Sequence, residues 1–201
     1  GDQVRSRLML HGRDDQGEDF DVQDTLSSAR TATDDPWSSL YLQWQLALGA
    51  DTQLQLIGAR AEAPNYYVLG NINNELNGFD SDFAGLLLTQ NLHWHDAISS
   101  QLGAGWKYSR LAPQGSVAAL PGADTVDIKA DIRSTEYWLT WQNDWQMNGR
   151  SSLQFGGEYR RPQITRADGY SNYDLGELAS GNFPLTEYGD FGFEYAVMDA
   201  S

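Results

Sequence analysis

Hydrophobic and polar side chains alternate with a period of two along much of the chain, and this is the pattern of β-strands rather than helices. In the segment 37–49, for example, Leu42 and Trp44 fall on one side, and Gln43 and Gln45 fall on the other. The pattern predicts eight strands, over residues 3–11, 37–49, 52–62, 82–94, 96–109, 134–146, 150–160 and 188–199. We therefore expect an all-β fold of antiparallel strands.

The connections between these strands alternate between short and long. Asn148-Gly149 is a strong hairpin signal and marks one of the short turns. Four connections are much longer, at residues 12–36, 63–81, 110–133 and 161–187. Compact soluble domains keep most loops to about four to six residues. Outer-membrane barrels, in contrast, have short periplasmic turns and long extracellular loops, so the pattern predicts an antiparallel transmembrane β-barrel.

Composition narrows the function further. The 201 residues contain no cysteine, which excludes disulfides and thiolate metal sites, and carry a formal net charge of -15, which opposes binding to nucleic acid. No apolar run approaches the roughly 20 residues that a membrane-spanning helix needs. The spacing of histidines, serines and carboxylates predicts no hydrolase triad, and we expect no catalysed reaction.

Acidic residues are concentrated in the first long connection. Carboxylates in a flexible loop are the hard oxygen ligands that calcium requires. We identify five candidate calcium ligands: Asp19, Asp21, Asp34 and Asp35 in this connection, and Asp80, which would converge on them from the second long connection. The alternative is a solvated acidic loop without bound metal.

Aromatic residues in the second and fourth long connections are candidates for ligand contact, since aromatic side chains are enriched at recognition surfaces. They are Tyr66, Tyr67, Tyr170, Tyr173 and Phe183. At a predicted short turn, His93 and His95 flank Trp94, and alternation would place both imidazoles on one face as a metal pair or as plain surface residues.

The stretch from Thr135 to Arg161, TEYWLTWQNDWQMNGRSSLQFGGEYRR, resembles a barrel hairpin of the TonB-dependent outer-membrane transporters, and within that family the cobalamin transporters. The stretches LYLQWQLALGADTQLQLIGARAEAPNYY and LHWHDAISSQLGAGWKYSR have a similar alternation. The resemblance implies a 22-stranded barrel in the outer membrane of a Gram-negative bacterium. Residues 1–201 are then expected to be an internal barrel segment of about eight strands, without the family's plug domain.

The same resemblance implies a receptor that binds and imports a scarce nutrient, either cobalamin or an iron–siderophore complex. Outer-membrane lipid and lipopolysaccharide would surround it, and the inner-membrane TonB system would supply energy through the plug that this chain lacks. The family resemblance also implies calcium in the extracellular loops, best matched here by Asp34, Asp35 and Asp80.

Two other architectures remain open. A complete eight-stranded barrel, acting as an adhesin or structural anchor, predicts that the first and last strands pair with each other. A soluble β-sandwich that binds a ligand predicts that the apolar sides, for example at Leu42, Leu102 and Phe155, are buried in a shared interior.

Overall fold

The computed structural model describes residues 3–17, 20–23, 30–33, 36–66, 76–118, 125–174 and 188–194. Every regular element in these ranges is a β-strand, so the prediction of an all-β chain is confirmed. The strands are β1 (Val4–Asp15), β2 (Phe20–Gln23), β3 (Arg30–Thr33), β4 (Trp37–Leu48), β5 (Thr52–Tyr66), β6 (Leu76–His95), β7 (Ile98–Ala118), β8 (Thr125–Asn148), β9 (Ser151–Tyr173) and β10 (Tyr188–Glu194).

Eight of the strands form one antiparallel sheet in the order β1-β4-β5-β6-β7-β8-β9-β10, and β2 pairs with β3 in a separate hairpin. Each strand of the large sheet therefore lies beside the next one along the chain, apart from the inserted hairpin. In the described residues β1 pairs only with β4, and β10 pairs only with β9. Over this part of the chain the sheet is open.

The short turns after β4, β6 and β8 all lie at the same end of the sheet, which we call the turn end; the opposite end is the loop end. Gly49 adopts a positive φ of 67° in the first of these turns, a conformation that favours glycine. In the third, the backbone N–H of Arg150 donates a hydrogen bond to Asn148 Oδ1 at 2.9 Å. Local turn chemistry thus fixes which strands are neighbours.

Alternation divides the side chains between two faces, because residues that pair across antiparallel strands point to the same side. The apolar face carries Leu42, Leu102 and Trp141, of which the last two pair with each other. The polar face carries Gln43 and Gln101, each adjacent in sequence to an apolar-face leucine. The two faces of the sheet therefore offer different chemistry.

Several strands are longer than the sequence predicts. Strands β6, β7, β8 and β9 contain 20, 21, 24 and 23 residues, so much of what was expected as long loops is paired strand. The prediction of unstructured connections over 63–81, 110–133 and 161–187 is wrong for these parts, and β2 and β3 lie within 12–36. The reason is that both faces become polar toward the loop end, so the period-two signal disappears while backbone pairing continues.

Candidate functional site

The apolar face forms a continuous band across the sheet. Its larger members are Leu8, Leu10, Leu42, Trp44, Leu56, Leu86, Leu88, Leu102, Leu139, Trp141, Trp145, Leu153, Phe155 and Tyr159. These side chains are not covered by another layer: Leu8 is 65% exposed and Leu139 is 59% exposed. Ala63 is the single buried hydrophobic residue in the described part of the chain. Apolar surfaces of this extent are typical of contact with lipid or with another protein.

A row of charged residues borders this band on its loop-end side. Register places Arg60, Asp82, Arg110, Arg133 and Arg166 opposite one another on five successive strands, β5 to β9. We call these five residues the charged row. The five residues lie on the apolar face. On β7, for example, Arg110 is the next residue on this face after Tyr108. The face therefore changes sharply from apolar to ionic.

A β-bulge brings Arg166 into this row. The register shifts by one residue between Arg133 and Ser134, which pair with Arg166 and Ile164, so that Thr165 is the extra residue on β9. The Thr165 hydroxyl donates to the backbone carbonyl of Arg133 at 3.3 Å. If the side chains of β9 alternated through Thr165 without a bulge, Arg166 would lie on the polar face.

Ion pairs link the charged row across the strands. Asp82 contacts Arg60 at 3.9 Å on one side and Arg110 at 3.3 Å on the other. Asp131, one step beyond the row on β8, contacts Arg110 at 3.2 Å, Arg133 at 2.7 Å and Arg166 at 3.9 Å. Two further carboxylates complete the network: Glu62 pairs with Arg60, and Asp168 pairs with Arg166. Alternating charge thus connects five strands.

Asp131 is the centre of this network. Hydrogen bonds from Arg133 lower the pKa of the Asp131 carboxyl to about 2, and the hydrogen bond from Arg110 adds to the effect against the opposing influence of burial. The pKa of Arg110 is raised, chiefly by its hydrogen bond to Asp131. The lowered pKa of Asp131 and the raised pKa of Arg110 both favour the charged forms that make their ion pair.

The polar face carries a second charged cluster near the middle of the sheet. Glu136 on β8 forms an ion pair with Lys107 on β7 and approaches Arg160 on β9 at 3.7 Å. Arg160 also pairs with Glu158. The Glu136 side chain is 13% exposed, whereas that of Arg160 is 62% exposed, so the cluster presents mainly its guanidinium to the surroundings.

Two glycines on the polar face make room for side chains of the neighbouring strand. A Cβ placed on Gly105 would overlap the indole ring of Trp138, and one on Gly103 would overlap the Thr140 hydroxyl. The indole therefore lies directly over the β7 backbone. This packing explains why glycines stand at positions where a polar side chain would otherwise fit the alternation.

At the turn end, a buried polar pair interrupts the apolar face. The Ser100 hydroxyl accepts a hydrogen bond from the Trp94 indole at 2.7 Å and donates to Asn143 Oδ1. Ser100 and Asn143 are 4% and 7% exposed. The Asn143 Nδ2 group has no hydrogen-bond partner in the described structure.

The prediction that His93 and His95 share one face is wrong. The register shifts between His93, which pairs with Ser99, and His95, which pairs with Ile98, so Trp94 is an extra residue and the alternation is broken. His93 Nδ1 lies 3.5 Å from Asp51 Oδ1 instead. In the described ranges no group of three or more metal-binding side chains is placed to hold a metal ion.

Three of the five predicted aromatic ligand contacts are described, and all three lie in strands rather than in loops. Tyr66 ends β5 and Tyr173 ends β9, while Tyr170 lies within β9 opposite Lys129. Tyr67 and Phe183 are outside the described residues. The structure therefore does not bring the five together in its described part, and their role in ligand contact stays a prediction.

The predicted calcium ligands are similarly divided. Asp80 lies in strand β6 opposite Glu62, not in a loop, and Asp21 lies in β2, where only the backbone is described. Asp19, Asp34 and Asp35 are outside the described residues. Calcium binding by this set stays a prediction.

Sequence reasoning missed the charged row. A signal was present in the sequence. Every second residue of β5, β6, β7 and β8 belongs to the apolar face, and counting on in steps of two toward the loop end leads to Arg60, Asp82, Arg110 and Arg133. Their alignment, however, depends on strand register and on the bulge at Thr165, neither of which alternation defines.

Comparison with known proteins gives no relative: no family model, curated protein or solved structure matches the chain. In the described part of the chain, no helix is long and apolar enough to cross a membrane.

Proposed function

We propose that this chain is part of an outer-membrane β-barrel, in a TonB-dependent receptor that binds a scarce nutrient and imports it. The observation that carries the proposal is the open apolar face, which extends across the sheet from β1 to β9 while the opposite face is mostly polar. Lipid on one side and an aqueous interior on the other give barrel strands this division.

Exposure of the apolar residues favours a membrane barrel over a soluble sandwich. Leu42, Leu102 and Phe155 are 38%, 39% and 46% exposed, whereas a sandwich would bury them between its layers. No second layer covers them among the described residues. Hydrocarbon chains would cover this surface in a bilayer.

The apolar band also runs obliquely across the sheet, as tilted barrel strands require. At the loop end, the last apolar residue of the band is Leu40 on β4 and Tyr159 on β9. Followed through the pairings from strand to strand, Tyr159 is level with Leu46 on β4, which is six residues from Leu40. At the turn end the corresponding residues are Leu48 and Leu153, and the shift is four residues. A shift of about one residue per strand, with a rise of about 3.3 Å and a strand spacing of about 4.8 Å, corresponds to a tilt of roughly 30–40°.

The height of the band agrees with a bilayer. On β8 it extends from Trp145 to Tyr137, about 26 Å along the strand. After tilting, this is about 22 Å along the membrane normal, close to the apolar band of about 25 Å in outer-membrane barrels. Aromatic residues stand at both limits, where such barrels have aromatic girdles, and the charged row lies beyond the loop-end limit.

The polar face would line the passage in this proposal. Arg160 and Lys107, linked through Glu136, would offer charged contacts to a passing nutrient. The loop-end aromatic residues would supply capture, and the acidic loop would supply calcium ligands. The nutrient proposed from the family resemblance is cobalamin or an iron–siderophore complex.

The membrane placement can be tested by single-cysteine labelling, because the chain has no native cysteine. Spin labels at Leu42→Cys and Leu102→Cys are expected to collide mainly with oxygen, which partitions into bilayers. Labels at the neighbouring Gln43→Cys and Gln101→Cys are expected to collide mainly with a water-soluble nickel chelate. A protein that stays soluble without detergent and shows no such alternation would support the sandwich and contradict the proposal.

Transport requires a separate test in cells. Uptake of radiolabelled cobalamin and of a ferric siderophore is compared in bacteria with and without the gene, with the inner membrane energised or uncoupled. Energy-dependent uptake that is lost with the gene supports the receptor. Unchanged uptake of both nutrients, together with membrane insertion, favours the adhesin or anchor.

A further inference from the structure

We propose that the apolar face carries a binding site for lipid A, the phosphorylated and acylated anchor of lipopolysaccharide. The inference rests on the proposed function, because it takes the apolar face to be in the outer membrane with its loop end in the outer leaflet. The site consists of an apolar groove and of one unpaired guanidinium at the groove's loop end.

The groove lies in the apolar face between strands β6 and β9. It has a volume of about 660 Å³, and its walls include Leu88, Leu139, Trp141 and Tyr159. Small residues, Ala104 and Gly157, stand in register among these larger ones and leave the depression. Gln90, Thr140 and Glu158 also line the groove, but its walls are mostly apolar. A mostly apolar groove in a lipid-facing surface fits an acyl chain.

Arg161 stands just beyond the loop end of the groove. It lies on the apolar face, two residues after Tyr159 on β9 and opposite Tyr137 on β8. Its side chain is exposed and forms no ion pair with any described residue, whereas each arginine of the charged row contacts a carboxylate. An uncompensated guanidinium at the border of an apolar surface is suited to a phosphate.

Two phenol groups flank this guanidinium. Tyr137 is 52% exposed and Tyr159 is 58% exposed, and both can donate a hydrogen bond to phosphate oxygens. A ligand that satisfies the whole site needs an anionic phosphate headgroup joined to an acyl chain. In the outer leaflet of the outer membrane the amphiphile with this chemistry is lipid A.

The test measures binding of lipid A to the full chain in detergent by native mass spectrometry. Arg161→Gln is expected to weaken binding about tenfold, because one charge-assisted contact to phosphate is lost. Arg150→Gln, which removes the same charge from the turn after β8, is the matched control and is expected to leave binding unchanged. Ala104→Phe, which fills the groove, is expected to weaken binding without removing charge.

Three ligand controls distinguish the possible sources of the phosphate. Dephosphorylated lipid A, phosphatidylglycerol and inorganic phosphate are each expected to bind at least tenfold more weakly than lipid A. Equal binding of any of these, or equal binding of lipid A to the Arg161→Gln and Arg150→Gln variants, overturns the proposal. If the alternating label pattern holds while these results are negative, the lipid site alone has failed and the membrane placement stands.

Discussion

The Asp131 side chain links three neighbouring strands through ion pairs. Arginines from β7, β8 and β9 contact its carboxylate, and the side chain is only 20% exposed. Removing its charge would leave Arg110 and Arg133 close together without their shared counter-ion, which is more costly than losing a typical surface pair. Asp131 is therefore the residue at which the network can be tested with one substitution.

We expect Asp131→Asn to destabilise the protein near neutral pH by at most about 2 kcal/mol, the upper bound from its lowered pKa, with solvent screening reducing the value. Because the folded-state pKa is about 2 and the ordinary value is 3.8, the stabilisation is present above pH 3.8. It is lost as the pH falls through this range toward 2. Urea unfolding in detergent, followed by tryptophan fluorescence, measures the difference from the unsubstituted protein at each pH.

Asp96→Asn provides the comparison for this experiment. Asp96 lies in the turn after β6, is exposed and forms no ion pair with the described residues. Its substitution is expected to change stability by less than about 0.5 kcal/mol at neutral pH. An Asp131→Asn effect that is no larger, or one that persists undiminished at pH 2, would show that the ionic network does not stabilise the sheet.

At the scale of single strands, alternation predicts where strands occur better than where they end. Strand β4 was expected over 37–49 and extends over Trp37–Leu48, since large apolar residues recur at every second position from Leu40 to Leu48. Strand β8 was expected over 134–146 but extends over Thr125–Asn148. Its additional residues include Asp131 and Arg133 on the apolar face, so the polarity contrast between the faces is lost there. Backbone pairing, which leaves no pattern in polarity, continues past this point.

The bulge at Thr165 allows a test of register at the same scale. Deleting Thr165 is expected to remove the bulge and leave Arg166 opposite Arg133, because the residues on either side already pair with consecutive positions of β8. The free energy of unfolding is expected to change by about 1 kcal/mol or less. Urea unfolding in detergent measures it.

Deleting Ser134 on β8 is the matched one-residue deletion. Here Arg133 would move into the position opposite Ile164 and turn to the polar face, which separates Asp131 from Arg110. We expect a loss of several kcal/mol. If the two deletions cost the same, the bulge does not absorb the change in register and the assigned pairing at Thr165 is incorrect.

At the scale of the molecule, the sequence predicts the two-faced sheet but not how its charged groups combine. Each strand's alternation is local, and it correctly assigns Leu102 and Trp141 to an apolar face. The charged row instead requires the relative register of five strands, which is determined by turn lengths and bulges together. Ion pairs between residues as distant as Arg110 and Asp82 therefore have no signature in any single segment.

The oblique course of the apolar band makes a prediction about the whole molecule in a membrane. If the band lies parallel to the bilayer, the strands must tilt from the membrane normal by roughly 30–40°, the angle that its drift across the strands implies. Polarised infrared spectroscopy of the protein in oriented bilayers measures this angle from the dichroism of the amide I band. A soluble or surface-adsorbed sheet has no reason to take this orientation, and strands lying near the bilayer plane would contradict a barrel. Only a tilt in this range places the apolar limits at Leu40 and Tyr159 at the same depth in the membrane. A measured tilt in the expected range would therefore show that the register of the six strands from β4 to β9 matches the orientation of the sheet in the bilayer.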